Sequence, residues 1–262
     1  MKVIVITGST RGIGLGLARS FMDLGCAVVI SGRSEKHVQQ ITKALGDQYS
    51  PEGSFGLACD VTNPDDLGAL WDGALEHYGV IDIWINNAGV SGPQSPVWDY
   101  APQDVERIIQ TNILGTIYGS NIAVSGMLSQ GHGAIYNMEG FGSKGRMRMG
   151  MTAYGTTKAA VTYFTKSLAK ELKSEPLIVG TLQPGMVITD LVMDHFRENP
   201  DEIERVRKIF NIIADRVENV TPWLAKKMLN NQKSGVAFVW TPGWKLLLRF
   251  LSAPFSKRDV FK

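Results

Sequence analysis

Apolar runs of strand length alternate along the chain with stretches of helical spacing, and this alternation narrows the possible folds more than any other feature. The runs are VIVIT at 3–7, AVVIS at 27–31, SFGLA at 54–58, IDIWIN at 81–86, GAIYN at 133–137, LIVGTL at 177–182 and VAFVW at 236–240. Between them, residues 12–24, 34–46, 63–78, 102–129 and 152–173 are predicted helices. Two have plausible caps, Ser34 and Asn63, the latter followed by Pro64 at the first helical position. Strands and helices in alternation build a parallel, doubly wound sheet with helices on both faces. The expectation is an α/β sheet of about seven strands. With 262 residues and no linker, repeat or low-complexity tract, 1–262 is predicted to be one domain.

The rhythm breaks from about residue 189 to 232, where MDHFRENPDEIERVRKIFNIIADRVENV is helical and richly charged. An insertion ahead of the last strand falls beyond the carboxyl ends of the strands, where ligands bind in such sheets. Residues 189–232 are therefore predicted to form a substrate lid.

Hydrophobic residues make up 44% and charged residues 20%, an ordinary globular balance rather than a disordered one. A net charge of +2 with scattered basic residues argues against a nucleic-acid partner. Cys26 and Cys59 sit in apolar stretches and are predicted to be buried, reduced thiols. His37, His77, His132 and His195 lack ligand spacing, so no metal site is expected. MKVIVITG enters a strand at once, which leaves no room for a signal peptide and points to a cytoplasmic protein.

TGSTRGIG follows the first strand and opens the first helix. Glycines at 8, 12 and 14 let the backbone turn tightly and approach a pyrophosphate, whose charge the helix N-terminus meets. Gly8, Ser9, Thr10, Arg11, Gly12, Ile13 and Gly14 are the predicted phosphate loop. A site built for NAD places an acidic residue at the end of the next strand, to hold the ribose hydroxyls. Gly32 stands there and Arg33 follows, so Arg33 and Arg11 together offer two cations to a 2′-phosphate. Each alone would read as a solvated surface charge; their joint position makes NADPH the expected cofactor.

Tyr154 and Lys158, in YGTTK, stand four apart and share one helix face. A free tyrosine has a pKa near 10, and lowering it by two or three units needs about 3 to 4 kcal/mol. Lys158 is placed to supply that.

TGSTRGIG, CDVT at 59–62, NNAG at 86–89, TNILG at 111–115, YGTTK at 154–158 and QPGMVITD at 183–190 resemble, in order and spacing, the short-chain dehydrogenase/reductases. The resemblance implies a single-domain Rossmann-type fold. It implies that Asp60 and Val61 flank the adenine and that Asn87, Ala88 and Gly89 line the cofactor. The segment from Pro184 to Thr189, with Gly185 and Val187, would hold the nicotinamide end. Asn112 would bind a water that contacts Lys158, completing a proton relay. Members of the family pair through the helices that here carry Asn112 and Tyr154, which implies a homo-oligomer.

One element is missing. In most of the family the strand before the tyrosine ends in a pattern like Asn-x-Ser-Ser, whose last serine polarises the substrate carbonyl; this chain has NMEG at 137–140. Ser143, in the glycine-bounded GFGSKG, is the candidate replacement, because a flexible loop would let it swing towards Tyr154. Glu139 is no donor unless protonated. A protein that kept the fold and bound NADPH without turnover is the rival that this gap favours and that Tyr154, Lys158 and Asn112 oppose.

NMEGFGS with AYGTTK, QPGMVITDLVMD, IFNIIAD and SGVAFVWTP resemble the chlorophyll(ide) b reductase branch of the family. That likeness implies NADPH-dependent reduction of the ring 7-formyl group of chlorophyll b to hydroxymethyl; another apolar carbonyl, such as a steroid, quinone or acyl ketone, is the alternative. The run RMRMGMTA at 146–153 would suit a flat apolar macrocycle, or fill core from a loop. PGWKLLLRFL at 242–251 is about half the ~20 residues that span a bilayer. It either packs or rests on a membrane with Lys245 and Arg249 towards the headgroups, and packing is expected.

Overall fold

All seven apolar runs form strands of one sheet in the computed structural model, which describes residues 1–197, 200–256 and 258–261. In chain order they are β1 (Val3–Ile6), β2 (Ala27–Gly32), β3 (Ser54–Ala58), β4 (Ile83–Asn86), β5 (Gly133–Met138), β6 (Leu177–Gln183) and, after two short strands, β9 (Val236–Val239). The sheet is parallel, with the order β3-β2-β1-β4-β5-β6-β9. Its order reverses between β1 and β4, the place where doubly wound sheets bind ligands.

Helices α1 (Gly12–Met22), α2 (Glu35–Gln48), α3 (Pro64–Tyr78), α4 (Pro102–Ile109), α5 (Gly115–Gln130) and α6 (Thr152–Glu171) cover the two faces. Strand residues alternate between two cores: Ile4 and Ile6 point to Leu17, Phe21 and Val38, while Val3 and Val5 point to Leu67, Trp71 and Met127. Ser34 caps α2 by accepting from the His37 N–H, and Asn63 caps α3 by accepting from Asp65. Cys26 and Cys59 are buried free thiols, as expected.

The predicted helix at 102–129 is broken. Gln110–Leu114, between α4 and α5, is a π-helical turn. The extra residue it takes in turns Asn112 fully inward.

The predicted lid also divides. The short strands β7 (Met186–Ile188) and β8 (Ala214–Arg216) pair with each other, and between them run α7 (Asp190–Arg197) and α8 (Pro200–Ile213); residues 198 and 199 lie outside the described residues. The remainder, α9 (Val217–Leu229), packs on α1 and buries Val220, Leu224, Ala225 and Met228 in the sheet core. It is a structural helix and no lid, because its apolar stripe is the cover that β1 and β2 need on that face.

Expected packing of the C-terminal run is overturned for most of it. Helix α10 (Gly243–Ser252) has no buried residue. Its polar side faces the protein: Lys245 Nζ sits 3.5 Å from the Trp240 ring centroid, and Arg249 forms a two-pronged pair with Asp215 at 2.8 and 3.0 Å. With the charges turned inward, Leu247, Leu248 and Leu251 point out. Asp215, 2% exposed, also accepts from Arg258 and from Trp240 Nε1, so it ties β8 to α10 and the C-terminus.

Candidate active site

Motifs scattered over 180 residues of sequence converge beyond the ends of β1, β4, β5 and β6 on one cleft of about 1110 Å³. That exceeds the roughly 300–1,000 Å³ of an ordinary small-molecule site, so a dinucleotide and a second ligand fit together. Gly8, Thr10, Arg11, Gly12, Ile13, Gly14, Arg33, Asp60, Val61, Asn87, Ala88, Gly89, Tyr154, Lys158, Pro184, Gly185, Val187 and Thr189 all border it, as does Ser143. Ser9 and Asn112 do not. Ser9 is buried and braces the loop, its hydroxyl donating to the Ile6 carbonyl and accepting from Ser31 N–H.

The glycine loop is shaped by close approach. Gly8 has φ +63°, and a Cβ there would lie 2.9 Å from Ala88 Cα; one on Gly14 would lie 2.5 Å from the Gly8 carbonyl. No side chain caps the N-terminus of α1 and no acid stands in its first turn, so its free N–H groups and partial positive charge face the cleft. This cradle fits a pyrophosphate. Asn87 is a strut: its amide donates to the carbonyls of Thr7 and Gly8 at 2.9 and 3.0 Å. Thr7, the first residue of the TGSTRGIG motif, accepts from the N–H groups of Asn87 and Ala88 and so fastens β1 to the end of β4.

At the adenosine end Thr10 packs over Gly32, where a Cβ would lie 3.0 Å from its methyl, and Arg33 is exposed at the rim. Arg11 lies 3.7 Å from Asp190. Such an exposed pair is worth about 0–1 kcal/mol, which a phosphate dianion outbids. Asp60 turns its carboxylate to Thr62, accepting from both its N–H and its hydroxyl.

Helix α6 sets Tyr154 and Lys158 one turn apart, with Lys158 Nζ 5.8 Å from the tyrosine ring centroid and donating to the Met138 carbonyl at 3.0 Å. The electrostatics differ from the sequence expectation. Burial pushes the Tyr154 hydroxyl up to about 12, and burial pushes Lys158 down to about 8 against the opposing pull of Glu139. Desolvation alone sets the tyrosine's shift in the chain by itself. Asn112 accepts from Val90 N–H and donates to the Val90 carbonyl and to Thr157, which fixes the start of α6 beside β4. A Cβ on Gly89 would lie 3.4 Å from Asn112 Oδ1 and 3.6 Å from Lys158 Nζ, so its absence leaves room between those two groups.

Tyr154 itself explains the missing serine. A Cβ at Gly140 would lie 2.5 Å from the Tyr154 hydroxyl, so the tyrosine occupies the space that a side chain there would need. Ser143 is close by, but it is held rather than swinging. Its Oγ accepts from Gly140 N–H at 3.1 Å and lies 3.4 Å from the Lys158 carbonyl. Gly142, at φ +98°, lets the loop press on Gly155, where a Cβ would meet backbone at 2.4 Å, so the glycine serves close packing rather than flexibility. Glu139 is 3% exposed; burial raises its carboxyl, and nearby Thr162, Thr181 and Gln183 offset part of the rise although Oε2 has no hydrogen bond.

Of the methionines in the 146–153 run only Met151 borders the cleft, beside Arg146 and Arg148; Met147 and Met149 are exposed. Sequence reasoning missed the apolar wall made by Phe210 and Ile213 of α8 with Leu246 and Phe250 of α10. The available signal was their helical spacing around charged neighbours.

A parallel sheet with a dinucleotide cradle at its switch point and a Tyr–Lys pair beside it defines a nicotinamide-dependent oxidoreductase. Residues 2–200 match the short chain dehydrogenase family, to which the chain belongs. It is 34% identical over 95% of its length to a chloroplastic protein of Oryza sativa subsp. japonica described as a probable chlorophyll(ide) b reductase, and spans 52% of that protein. It is 36% identical over 88% of its length to a chloroplastic chlorophyll(ide) b reductase of Arabidopsis thaliana, spanning 66% of it. The fold is similar to that of a serine dehydrogenase complexed with NADP+, at TM-score 0.77 and 26% identity over 90% of this chain and 92% of the other.

Proposed function

We propose that the chain is an NADPH-dependent reductase of a large apolar carbonyl compound, and that this compound is chlorophyll b or chlorophyllide b, reduced from 7-formyl to 7-hydroxymethyl. The observation that carries the reading is the Tyr154–Lys158 pair set between the dinucleotide cradle and the apolar wall of Phe210, Ile213, Leu246 and Phe250. Gly8–Gly14 and the start of α1 would hold the pyrophosphate, and Arg33, with Arg11, the 2′-phosphate. When bound, NADPH supplies the hydride. Tyr154 gives its proton to the carbonyl oxygen as that oxygen becomes an alcohol, and Lys158, charged below about pH 8, faces the tyrosinate left behind. The room at Gly89 would take a water linking Lys158 to Asn112 for reprotonation. Pairing of two chains through α5 and α6 is part of the same proposal; Tyr163 on α6 is 77% exposed and available as an anchor.

The substrate is tested by incubating the purified protein with NADPH and chlorophyll b, chlorophyllide b, a steroid ketone or a quinone. Loss of the conjugated formyl group changes the pigment's absorption, and chromatography identifies the alcohol. Turnover of the steroid or quinone but of neither pigment would overturn the pigment assignment and leave the carbonyl chemistry standing.

Three substitutions probe the site. Arg33→Asp removes a charge-assisted contact worth about 1.5–3 kcal/mol and should narrow or reverse the NADPH preference, read as the ratio of Kd values for NADPH and NADH. Ser143→Ala should slow turnover about 10²-fold if its hydroxyl leaves the Lys158 carbonyl to polarise the substrate. Gly140→Ser, which restores the family's usual residue, should also lower kcat, because its Cβ displaces the Tyr154 hydroxyl. An active Gly140→Ser protein would mean that Tyr154 has another working position.

A further inference from the structure

We propose that α10 and the 144–151 loop form one docking surface for an anionic lipid bilayer, on which the protein lies with its cleft open to the apolar layer. The helix is reversed from the usual pattern of a soluble protein: its cations face the body, and Leu247, Leu248 and Leu251 face solvent. Trp244, Leu247, Leu248 and Leu251 are 66, 61, 56 and 67% exposed, and Phe255 just beyond is 90% exposed. Apolar side chains gathered this densely on a surface mark an interaction site.

The other border of the same cleft repeats the theme. Lys144, Arg146 and Arg148 line it, and between and after the arginines stand Met147 and Met149, 94 and 81% exposed, with no acid anywhere from 143 to 151. Cations interleaved with exposed apolar side chains match anionic headgroups above an acyl layer. Ten residues of α10 extend only about 15 Å, and no described helix is long and apolar enough to cross a membrane, so the helix lies along the surface. A second copy of the chain is the poorer occupant: seated on both borders, it would shut the cleft mouth. A bilayer instead hands an apolar compound in past Leu246 and Phe250, which border the cleft from the inner side of α10. That last step rests on the proposed apolar substrate; the docking does not.

The test is flotation of the full chain, without substrate, with vesicles of phosphatidylcholine alone or mixed with phosphatidylglycerol. Binding is expected to the mixed vesicles and to weaken with added salt. The double substitution Leu247→Glu and Leu251→Glu, outside the cleft, should lower the bound fraction about tenfold or more while the NADPH Kd stays unchanged. Failure to float with either vesicle, or flotation that the double substitution leaves intact, overturns the proposal. So does sedimentation showing an oligomer that the double substitution splits without any vesicle binding, which would assign the face to a second copy. Because flotation is read without substrate, failure of every pigment to react leaves this result untouched.

Discussion

Tyr154→Phe is expected to lower the rate of carbonyl reduction by about 10²–10⁴-fold, the span of a positioned general acid, while NADPH binds as before. The hydroxyl is the only group removed, and among the described residues no hydrogen bond depends on it; the Cβ that would crowd it, at Gly140, is absent. With burial holding the hydroxyl up to about 12, the donor form is fully populated at neutral pH, so the loss is of the proton itself and not of a fractional ionisation. The penalty of that same shift falls on the tyrosinate formed in the reaction, which is where a charged Lys158 acts. Lys158 titrates near 8 because burial disfavours its charge. The measurement is single-turnover NADPH oxidation beside a fluorescence titration of NADPH. A rate within threefold of the unaltered protein would place proton donation on another group, with Ser143 the first to try.

The strands were legible because each is an uninterrupted apolar run whose residues serve two cores in alternation, as Val3 to Ile6 do. The phosphate loop was legible because glycine is required where backbone meets backbone, at Gly8 against Ala88 and Gly14 against Gly8 itself. What sequence could not give was which hydrogen bonds the polar residues spend on the fold. Asn87 borders the cleft as expected, but its amide is spent on the loop carbonyls of Thr7 and Gly8; Ser143 reads as a mobile hydroxyl and closes a turn on Gly140. The π-helical turn was invisible because Gln110–Leu114 has ordinary helical propensity, and only the inward reach of Asn112 to Val90 and Thr157 rewards the extra residue. Helix α10 was misread for a similar reason. Apolar spacing predicts a buried stripe, and nothing local reveals that Asp215, over thirty residues upstream, holds Arg249 and turns the stripe outward.

Asp215→Asn should therefore cost about 3–5 kcal/mol of stability, the usual penalty for removing one partner from a buried charged cluster. The carboxylate is 2% exposed and takes bonds from Arg249, Arg258 and Trp240. Asparagine keeps the shape but brings its own N–H group against two guanidinium groups, leaving them partly buried without a counter-charge. Arg258 also holds the carbonyls of Asn211 and Ile212, so its release loosens the end of α8 as well as α10. Urea unfolding monitored by tryptophan fluorescence should show a lower midpoint, with Trp240 reporting directly on the lost bond. The effect should reach the cleft too. Strand β8 carries Asp215 and pairs residue for residue with β7, where Val187 borders the cofactor site, so NADPH affinity should fall with stability. Replacing Asp215 and Arg249 together with a methionine pair of similar bulk should recover part of the loss, since the Arg249 guanidinium is then no longer stranded and only Arg258 lacks its partner. A cost below about 1 kcal/mol for the single change would mean that both arginines escape to water, and that α10 is held by Lys245 on Trp240 and by its own apolar contacts.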